Sequence, residues 1–182
     1  IVMPIGTPFT KVEHTRSHGA RVIIHGRTLV EASDFAQKTC EQEHLTFVHP
    51  YDDPWVIAGQ GTIGLEMLED VPALDALIVP VGGGGLISGV AIAAKALKPS
   101  IEIYGVEPKM YPSMDAAMRQ LKDVKCEGQT IAEGIAVKNV GVLTAEICRE
   151  LVREVVGVSE SVLEQAINLY CNVEKTIAEG AG

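Results

Sequence analysis

Four consecutive glycines, Gly82 to Gly85, lie between an apolar run and a helix-like segment, and they restrict the fold more than any other feature. The apolar run, residues 76–79, has the composition of a buried strand in a parallel sheet. Residues 86–97 have the spacing of a helix that packs on such a sheet. Glycine allows close backbone approach, and a helix start offers unpaired N–H groups and a positive dipole end. The pattern therefore predicts a turn that binds phosphate.

Three phosphate-binding patterns compete for this turn. A nucleoside-triphosphate loop requires Lys and then Ser or Thr after its last glycine, and the residues after Gly89 are apolar. The dinucleotide pattern G-x-G-x-x-G requires glycine at Ile87 or Ser88, so it fits in no frame. A later strand ends at Glu107, where such a fold places a ribose-binding acid, which keeps a nucleotide as an alternative. The third ligand is a lone phosphomonoester such as that of pyridoxal phosphate. A turn that serves only strand–helix packing is the remaining alternative, although ordering four glycines is costly in backbone entropy.

Composition excludes several classes of protein. The 182 residues are 47% hydrophobic, enough for a packed core, and 15 Lys+Arg against 24 Asp+Glu give a net charge of −9. Without a basic cluster, binding to nucleic acid or to an anionic membrane surface is not expected. No apolar stretch reaches the ~20 residues that a membrane span requires. The four cysteines are dispersed without a C-x-x-C pair, which predicts no disulfide framework or zinc site and fits a reducing cytoplasm.

Strand and helix patterns alternate along the chain at βαβ spacing. This predicts an α/β fold with three layers, in which open parallel sheets are covered by helices on both faces. Residues 45–48 are among the predicted strands. Gly61 and Gly64 interrupt a helical pattern and the strand series restarts after them, so we expect one domain over residues 1–64 and a second over residues 65–182. The chain opens inside a strand-like run without an initiator Met, so we expect a piece of a longer polypeptide, incomplete at both ends.

A few polar residues are candidates for a functional site. Asp52 and Asp53 precede a proline, so one of them is expected to cap a helix, or to lie in the ligand crevice, or both. Glu133 lies between apolar residues beside Gly134, which suggests more than a surface charge. Gly61 follows a glutamine within a helical pattern, which favours a close packing contact over the edge of a site.

Several segments in order resemble one family of enzymes. The chain is identified as a member of the threonine dehydratase (threonine ammonia-lyase) and serine racemase group of pyridoxal-phosphate enzymes, of the tryptophan synthase β fold type. The resemblance covers essentially the whole chain. It rests on HPYDDP at 49–54, IAGQGTIGLE at 57–66, VPVGGGGL at 79–86, ALKP at 96–99, VEP at 106–108 and TIAEG at 130–134.

The resemblance implies a set of cofactor-binding residues. Glu133 and Gly134 match the segment that borders the cofactor ring, and Asp53 matches an acid near the substrate entrance. The phosphate of pyridoxal 5'-phosphate would be held by Gly82, Gly83, Gly84, Gly85 and the N–H group of Leu86.

Some relatives bind a divalent cation, Mg²⁺ or Ca²⁺. Glu107 matches a carboxylate of that site, and the backbone carbonyl of Tyr111 matches a second ligand. Ser113 replaces a second acid, so hydroxyl and carbonyl oxygens with water would complete the site.

The resemblance also implies an activity for the full-length parent, which would be a homo-oligomer. It would remove water from L-threonine or L-serine and release a 2-oxo acid and ammonia. Serine racemase and hydroxy-aspartate dehydratase are alternatives on the same scaffold, and a non-catalytic nucleotide-binding α/β module is the alternative from another class. The family's Schiff-base lysine motif is absent from this sequence, so we expect the isolated chain to be inactive. Asp53 and Glu133 are then supporting residues only.

Overall fold

Strands and helices alternate along the chain in the computed structural model, which describes residues 1–182. The chain divides into two compact units, Ile1–Val48 and His49–Gly182. In chain order the elements are β1 Val2–Met3, α1 Phe9–Ser17, β2 Ile23–Ile24, α2 Leu29–Glu43, α3 Pro54–Asp70, β3 Ala76–Pro80, α4 Gly85–Leu97, β4 Glu102–Pro108, α5 Ser113–Met118, a 3₁₀ turn Glu133–Ile135, α6 Val142–Leu151, β5 Glu154–Val158, α7 Glu160–Leu169 and a π-helical turn Tyr170–Glu174.

The first unit contains the parallel pair β1–β2 and the helices α1 and α2. Helix α2 begins where the Thr28 side chain accepts a hydrogen bond from the Glu31 N–H at 3.2 Å, as a threonine N-cap does. The prediction of a strand at residues 45–48 is wrong. No strand of this chain pairs with these residues, and a β-type sequence adopts a strand only where a neighbour completes its hydrogen bonds.

The second unit is built on a three-stranded parallel sheet in the order β3–β4–β5. Ala76 lies opposite Glu102, and Tyr104 lies opposite Glu154. Helix α4 connects β3 to β4, and α5 and α6 lie in the connection from β4 to β5, as parallel neighbours require. The predicted parallel α/β arrangement is confirmed. The four glycines follow β3 and Glu107 lies near the end of β4, so both are at the same edge of the sheet.

The core of this unit lies between one face of the sheet and the helices. Side chains that alternate along each strand point into it, as a pleated strand requires. Ile78 on the other face of β3 is 73% exposed, whereas its neighbours Leu77 and Val79 are buried. The buried cluster is Leu68, Leu77, Val79, Val81, Ile87, Val90, Ala91, Ala94, Ile101, Ile103, Met114, Ala145, Cys148, Val152 and Val155.

Glycines allow α3 and α4 to pack with their backbones in contact. A Cβ atom added to Gly61 would lie 3.0 Å from the Gly89 carbonyl oxygen, and one added to Gly64 would lie 3.0 Å from the Val90 carbonyl oxygen. The interpretation of Gly61 as a packing contact fits this geometry. Helix α3 runs without interruption through both glycines, and the two compact units divide between residues 48 and 49. The division of a longer enzyme at Gly64 stays a prediction.

No helix of the structure combines the length and the apolar character needed to cross a bilayer.

Candidate functional site: a glycine turn at the start of α4

The turn after β3 presents a row of backbone N–H groups that have no acceptor within the protein. The N–H groups of Gly82, Gly83, Gly84, Gly85 and Leu86 donate no hydrogen bond to another residue. Gly83 to Gly85 are buried, and unpaired N–H groups in a buried turn are costly unless a ligand accepts from them. No acidic side chain lies in the first turn of α4, so the helix itself carries no carboxylate at its positive dipole end. The turn fits an anion such as a phosphate group.

The backbone of the turn requires glycine. Gly84 has φ +97°, in the left-handed region, and its added Cβ would lie 2.5 Å from Met114 Cε and 2.7 Å from Thr144 Cβ. A Cβ on Gly85 would lie 3.0 Å from Tyr51 Cα. A Cβ on Gly83 would overlap the ring of Tyr51. The glycines therefore serve two purposes, because they expose N–H groups and let neighbouring segments approach the turn.

The segment before α3 lies against this turn. His49 Nδ1 accepts hydrogen bonds from the Asp52 N–H at 2.8 Å and the Tyr51 N–H at 3.3 Å. The Tyr51 hydroxyl donates to the Asn139 carbonyl at 2.7 Å. Burial, and after it the Asp52 carboxylate, raises the pKa of Tyr51 above its ordinary value of 10.0, so the hydroxyl stays protonated and able to donate.

The two neighbouring aspartates have different roles. Asp53 is the N-cap of α3, and its Oδ1 accepts from the N–H groups of Trp55 at 2.8 Å and Val56 at 3.1 Å. Asp52 instead accepts from the N–H groups at the start of α6. The sequence did not decide which of the two residues caps a helix and which lies in the ligand crevice. The structure assigns the cap of α3 to Asp53 and brings Asp52 to the helix beside the glycine turn.

Glu107 is buried, with 1% of its surface exposed, and it caps the short helix α5. Its Oε2 accepts from the Met114 N–H at 2.9 Å, and its Oε1 accepts from the Asp115 N–H at 3.1 Å. Burial raises the pKa of Glu107 from 4.5 to about 7, while the two backbone hydrogen bonds act in the opposite direction. The buried Met114, whose N–H group Glu107 binds, also contacts Gly84. Glu107 therefore stabilises a residue that packs against the glycine turn.

Two of the three groups expected to bind a cation, the Glu107 carboxylate and the Ser113 hydroxyl, make other contacts. The carboxylate of Glu107 accepts from the two N–H groups of α5, and the Ser113 hydroxyl donates to the Val137 carbonyl at 2.6 Å. No group of three or more His, Cys, Asp or Glu side chains is arranged to hold a metal ion.

The 3₁₀ turn Glu133–Ile135 brings the predicted ring-side segment toward the glycine turn. A Cβ on Gly82 would lie 3.1 Å from Ile135 Cα, so the two segments are in contact. Glu133 and Gly134 are both exposed, and a Cβ on Gly134 would lie 3.3 Å from the Ala181 side chain. The structure thus places this segment beside the glycine turn through Ile135 and leaves the Glu133 carboxylate at the surface.

Sequence reasoning missed several residues of this region. His49 and Tyr51 lie in a polar segment after an apolar run, but nothing local shows that this segment reaches the glycine turn. Asp52 is a predicted candidate for the ligand crevice, but nothing in the sequence indicates that it caps α6. Thr144, whose hydroxyl donates to the Gly83 carbonyl, lies in an ordinary amphipathic helix pattern. A single sequence carries no signal that would have found it.

Comparisons with known proteins show which proteins this chain is similar to. The PALP family, described as pyridoxal-phosphate dependent enzymes, matches residues 1–182. L-threonine ammonia-lyase of Thermotoga maritima is 46% identical over 183 residues, which is 100% of this chain and 46% of that protein. Maize serine racemase superposes with a TM-score of 0.92 at 34% identity, covering 100% of this chain and 55% of that one. Processed threonine deaminase isoform 2 from Solanum lycopersicum superposes with a TM-score of 0.90 at 38% identity, covering 100% of this chain and 50% of that one.

These relatives confirm the predicted fold and the predicted resemblance. The chain spans about half the length of the curated relatives that it matches. The family match covers every residue described, and pyridoxal phosphate is the cofactor that the family description names. A glycine turn with unpaired N–H groups is what such a cofactor's phosphate requires. The chain belongs to the family of pyridoxal-phosphate dependent enzymes.

Proposed function

We propose that this chain is part of an L-threonine or L-serine dehydratase that releases a 2-oxo acid and ammonia, and that its glycine turn holds the phosphate of pyridoxal phosphate. The observation that carries the proposal is the row of unpaired N–H groups from Gly82 to Leu86 at the start of α4. The names of the similar proteins from Thermotoga maritima and Solanum lycopersicum support the choice of reaction.

Residues of this chain would bind and orient the cofactor. The N–H groups of the turn would donate hydrogen bonds to the phosphate oxygens, and the dipole of α4 would stabilise their negative charge. The resemblance implies that the segment at Glu133 and Gly134 would border the cofactor ring. The contact of the neighbouring Ile135 with Gly82 supports this position. When bound, pyridoxal phosphate supplies an electron sink for the amino acid from which a proton is removed. The proposed reaction belongs to the full-length protein.

Two observations bear on the alternatives. Maize serine racemase has nearly the same backbone over this chain, so racemisation of serine remains the second candidate function. A nucleotide-binding module has lost its support, because Glu107 is buried and both carboxylate oxygens accept hydrogen bonds from α5. For the same reason we leave the divalent cation out of the proposed site.

The function is tested with the full-length protein loaded with pyridoxal phosphate. L-threonine and L-serine are supplied separately, and 2-oxobutanoate, pyruvate and D-serine are measured by chromatography. Formation of 2-oxobutanoate from L-threonine supports the dehydratase. D-serine as the main product from L-serine supports the racemase instead, and the absence of all three products refutes both.

The glycine turn is tested by Gly84→Ala with Gly6→Ala as the matched control. Gly84 has a positive φ and a crowded Cβ position, whereas a Cβ on Gly6 meets nothing within 4 Å. Backbone strain of about 1–3 kcal/mol at position 84 predicts an affinity for pyridoxal phosphate that is weaker by roughly 5- to 150-fold. The control should bind like the wild type. Equal affinity in both variants would show that the phosphate does not bind at this turn.

A further inference from the structure

The carbonyl of Gly83 is held from one side by helix α6. It accepts a hydrogen bond from the Thr144 hydroxyl at 2.7 Å and a second from the Gly141 N–H at 3.2 Å. Thr144 is fully buried, with 0% of its surface exposed, so water does not compete for this hydroxyl. A buried hydroxyl that donates to a carbonyl of the glycine turn can control how that turn is oriented.

These two bonds fix the direction of the next N–H group. The chain contains no cis peptide bond, and in a trans peptide the carbonyl and the following N–H point in opposite directions. Because the Gly83 carbonyl points toward its donors at α6, the Gly84 N–H is directed away from α6, and no residue of the protein accepts a hydrogen bond from it. Glycine on both sides of a peptide leaves it free to rotate unless something holds it. The Thr144 hydroxyl is one of the two donors that hold it.

Asp52 in turn holds Thr144. Its Oδ1 accepts from the Thr144 N–H at 3.1 Å, and its Oδ2 accepts from the Val142 N–H at 3.0 Å. The carboxylate caps the first turn of α6, where it also meets the positive end of the helix dipole. The N–H groups of α6 that it binds have no other acceptor. Asp52 therefore fixes the position of the helix from which Thr144 reaches the glycine turn.

We propose that Thr144 and Asp52 are positioning residues of the phosphate site, which keep the Gly84 N–H directed at the bound phosphate. This inference rests on the proposed function, since it assumes that the turn binds the cofactor phosphate. Neither residue touches the cofactor in this scheme. They act through the Gly83 peptide, so their loss should weaken binding of the phosphate group and leave binding of the pyridine ring unchanged.

The test compares two ligands that differ only in the phosphate. Pyridoxal phosphate and pyridoxal are titrated into the cofactor-free, full-length protein, and dissociation constants are obtained from the change in protein fluorescence. Thr144→Val removes the hydroxyl with little change in shape, and Thr144→Ser keeps it. Loss of one hydrogen bond predicts about tenfold weaker binding of pyridoxal phosphate by Thr144→Val, an unchanged affinity for pyridoxal and recovery in Thr144→Ser.

Other outcomes would overturn the inference. If Thr144→Val weakens both ligands by the same factor, the hydroxyl is merely structural. If Thr144→Val binds pyridoxal phosphate like the wild type, the Gly83 peptide keeps its orientation without the Thr144 hydroxyl. A wild type that binds both ligands equally refutes the phosphate turn itself, and so the proposed function as well. Asp52→Asn provides a second variant should Thr144→Val fail to fold, and we expect it also to weaken only pyridoxal phosphate.

Discussion

The contact between α3 and α4 provides a sharp test of the packing described above. A Cβ added to Gly89 would lie 2.6 Å from the Gly61 nitrogen and 3.0 Å from the Gln60 carbonyl carbon, both atoms of the α3 backbone. Ordinary carbon contacts begin near 3.4 Å, so the two helices would have to separate by roughly 1 Å. Backbone atoms cannot relieve the contact by changing rotamer.

The expected effect of Gly89→Ala follows from two opposing terms. Overpacking a core costs about 1–3 kcal/mol, and the rigid backbone contact places this site at the upper end. Replacing a helical glycine by alanine returns about 1 kcal/mol of helix propensity. We therefore expect a net loss of about 2 kcal/mol in the free energy of unfolding.

Gly59→Ala is the matched control on α3. Gly59 is exposed and a Cβ there meets nothing within 4 Å, so only the propensity term applies. This variant should gain about 0.5–1 kcal/mol. Urea unfolding of the full-length protein, followed by circular dichroism, measures both variants against the wild type. If the two variants have the same stability within about 0.5 kcal/mol, the close contact between the helices is not a packing constraint.

Two further predictions concern buried and capping carboxylates. Burial raises the pKa of Glu107 from 4.5 to about 7. Between these pH values the folded protein keeps a proton that the unfolded chain has released. The free energy of unfolding should therefore fall by up to about 3 kcal/mol as the pH rises from 4.5 through 7. Glu107→Gln should remove this fall in urea unfolding at pH 5 and pH 8, and a variant that keeps the full pH dependence would contradict the assignment. Asp53→Ala should lower the stability by about 1 kcal/mol through loss of the α3 cap, and Asp53→Ser should restore most of it; a loss that serine does not restore would point to another role.

Sequence alone could predict the glycine turn because its signal is local. A strand, four glycines and a helix follow one another, and their backbone chemistry is the same wherever the rest of the chain lies. The same local reasoning predicted a strand at residues 45–48. The strand prediction failed because strands need partners, and the glycines of α3 have a packing role that depends on Gly89 and Val90 in another helix.

The rest of the site depends on contacts between distant segments. Asp52 and Asp53 are adjacent and chemically identical, yet one caps its own helix and the other caps α6. Only the folded structure separates these roles. Glu107 could be read as a ribose or cation ligand until its burial and its two N–H partners were known. Site residues that act through tertiary contacts leave no pattern in a single sequence.

The bond from the Thr144 N–H to Asp52 has a consequence for synthesis of the protein. The two residues are separated by 92 positions in the chain. At about 5–20 residues per second, a ribosome adds Thr144 roughly 5 to 20 s after Asp52. In the later part of that interval β3 and the glycine turn exist as nascent chain, but the Gly83 peptide still lacks both of its donors, Thr144 and Gly141. If the turn holds the cofactor phosphate as proposed, its affinity for the cofactor should reach the full value only after the segment that contains α6 has been added.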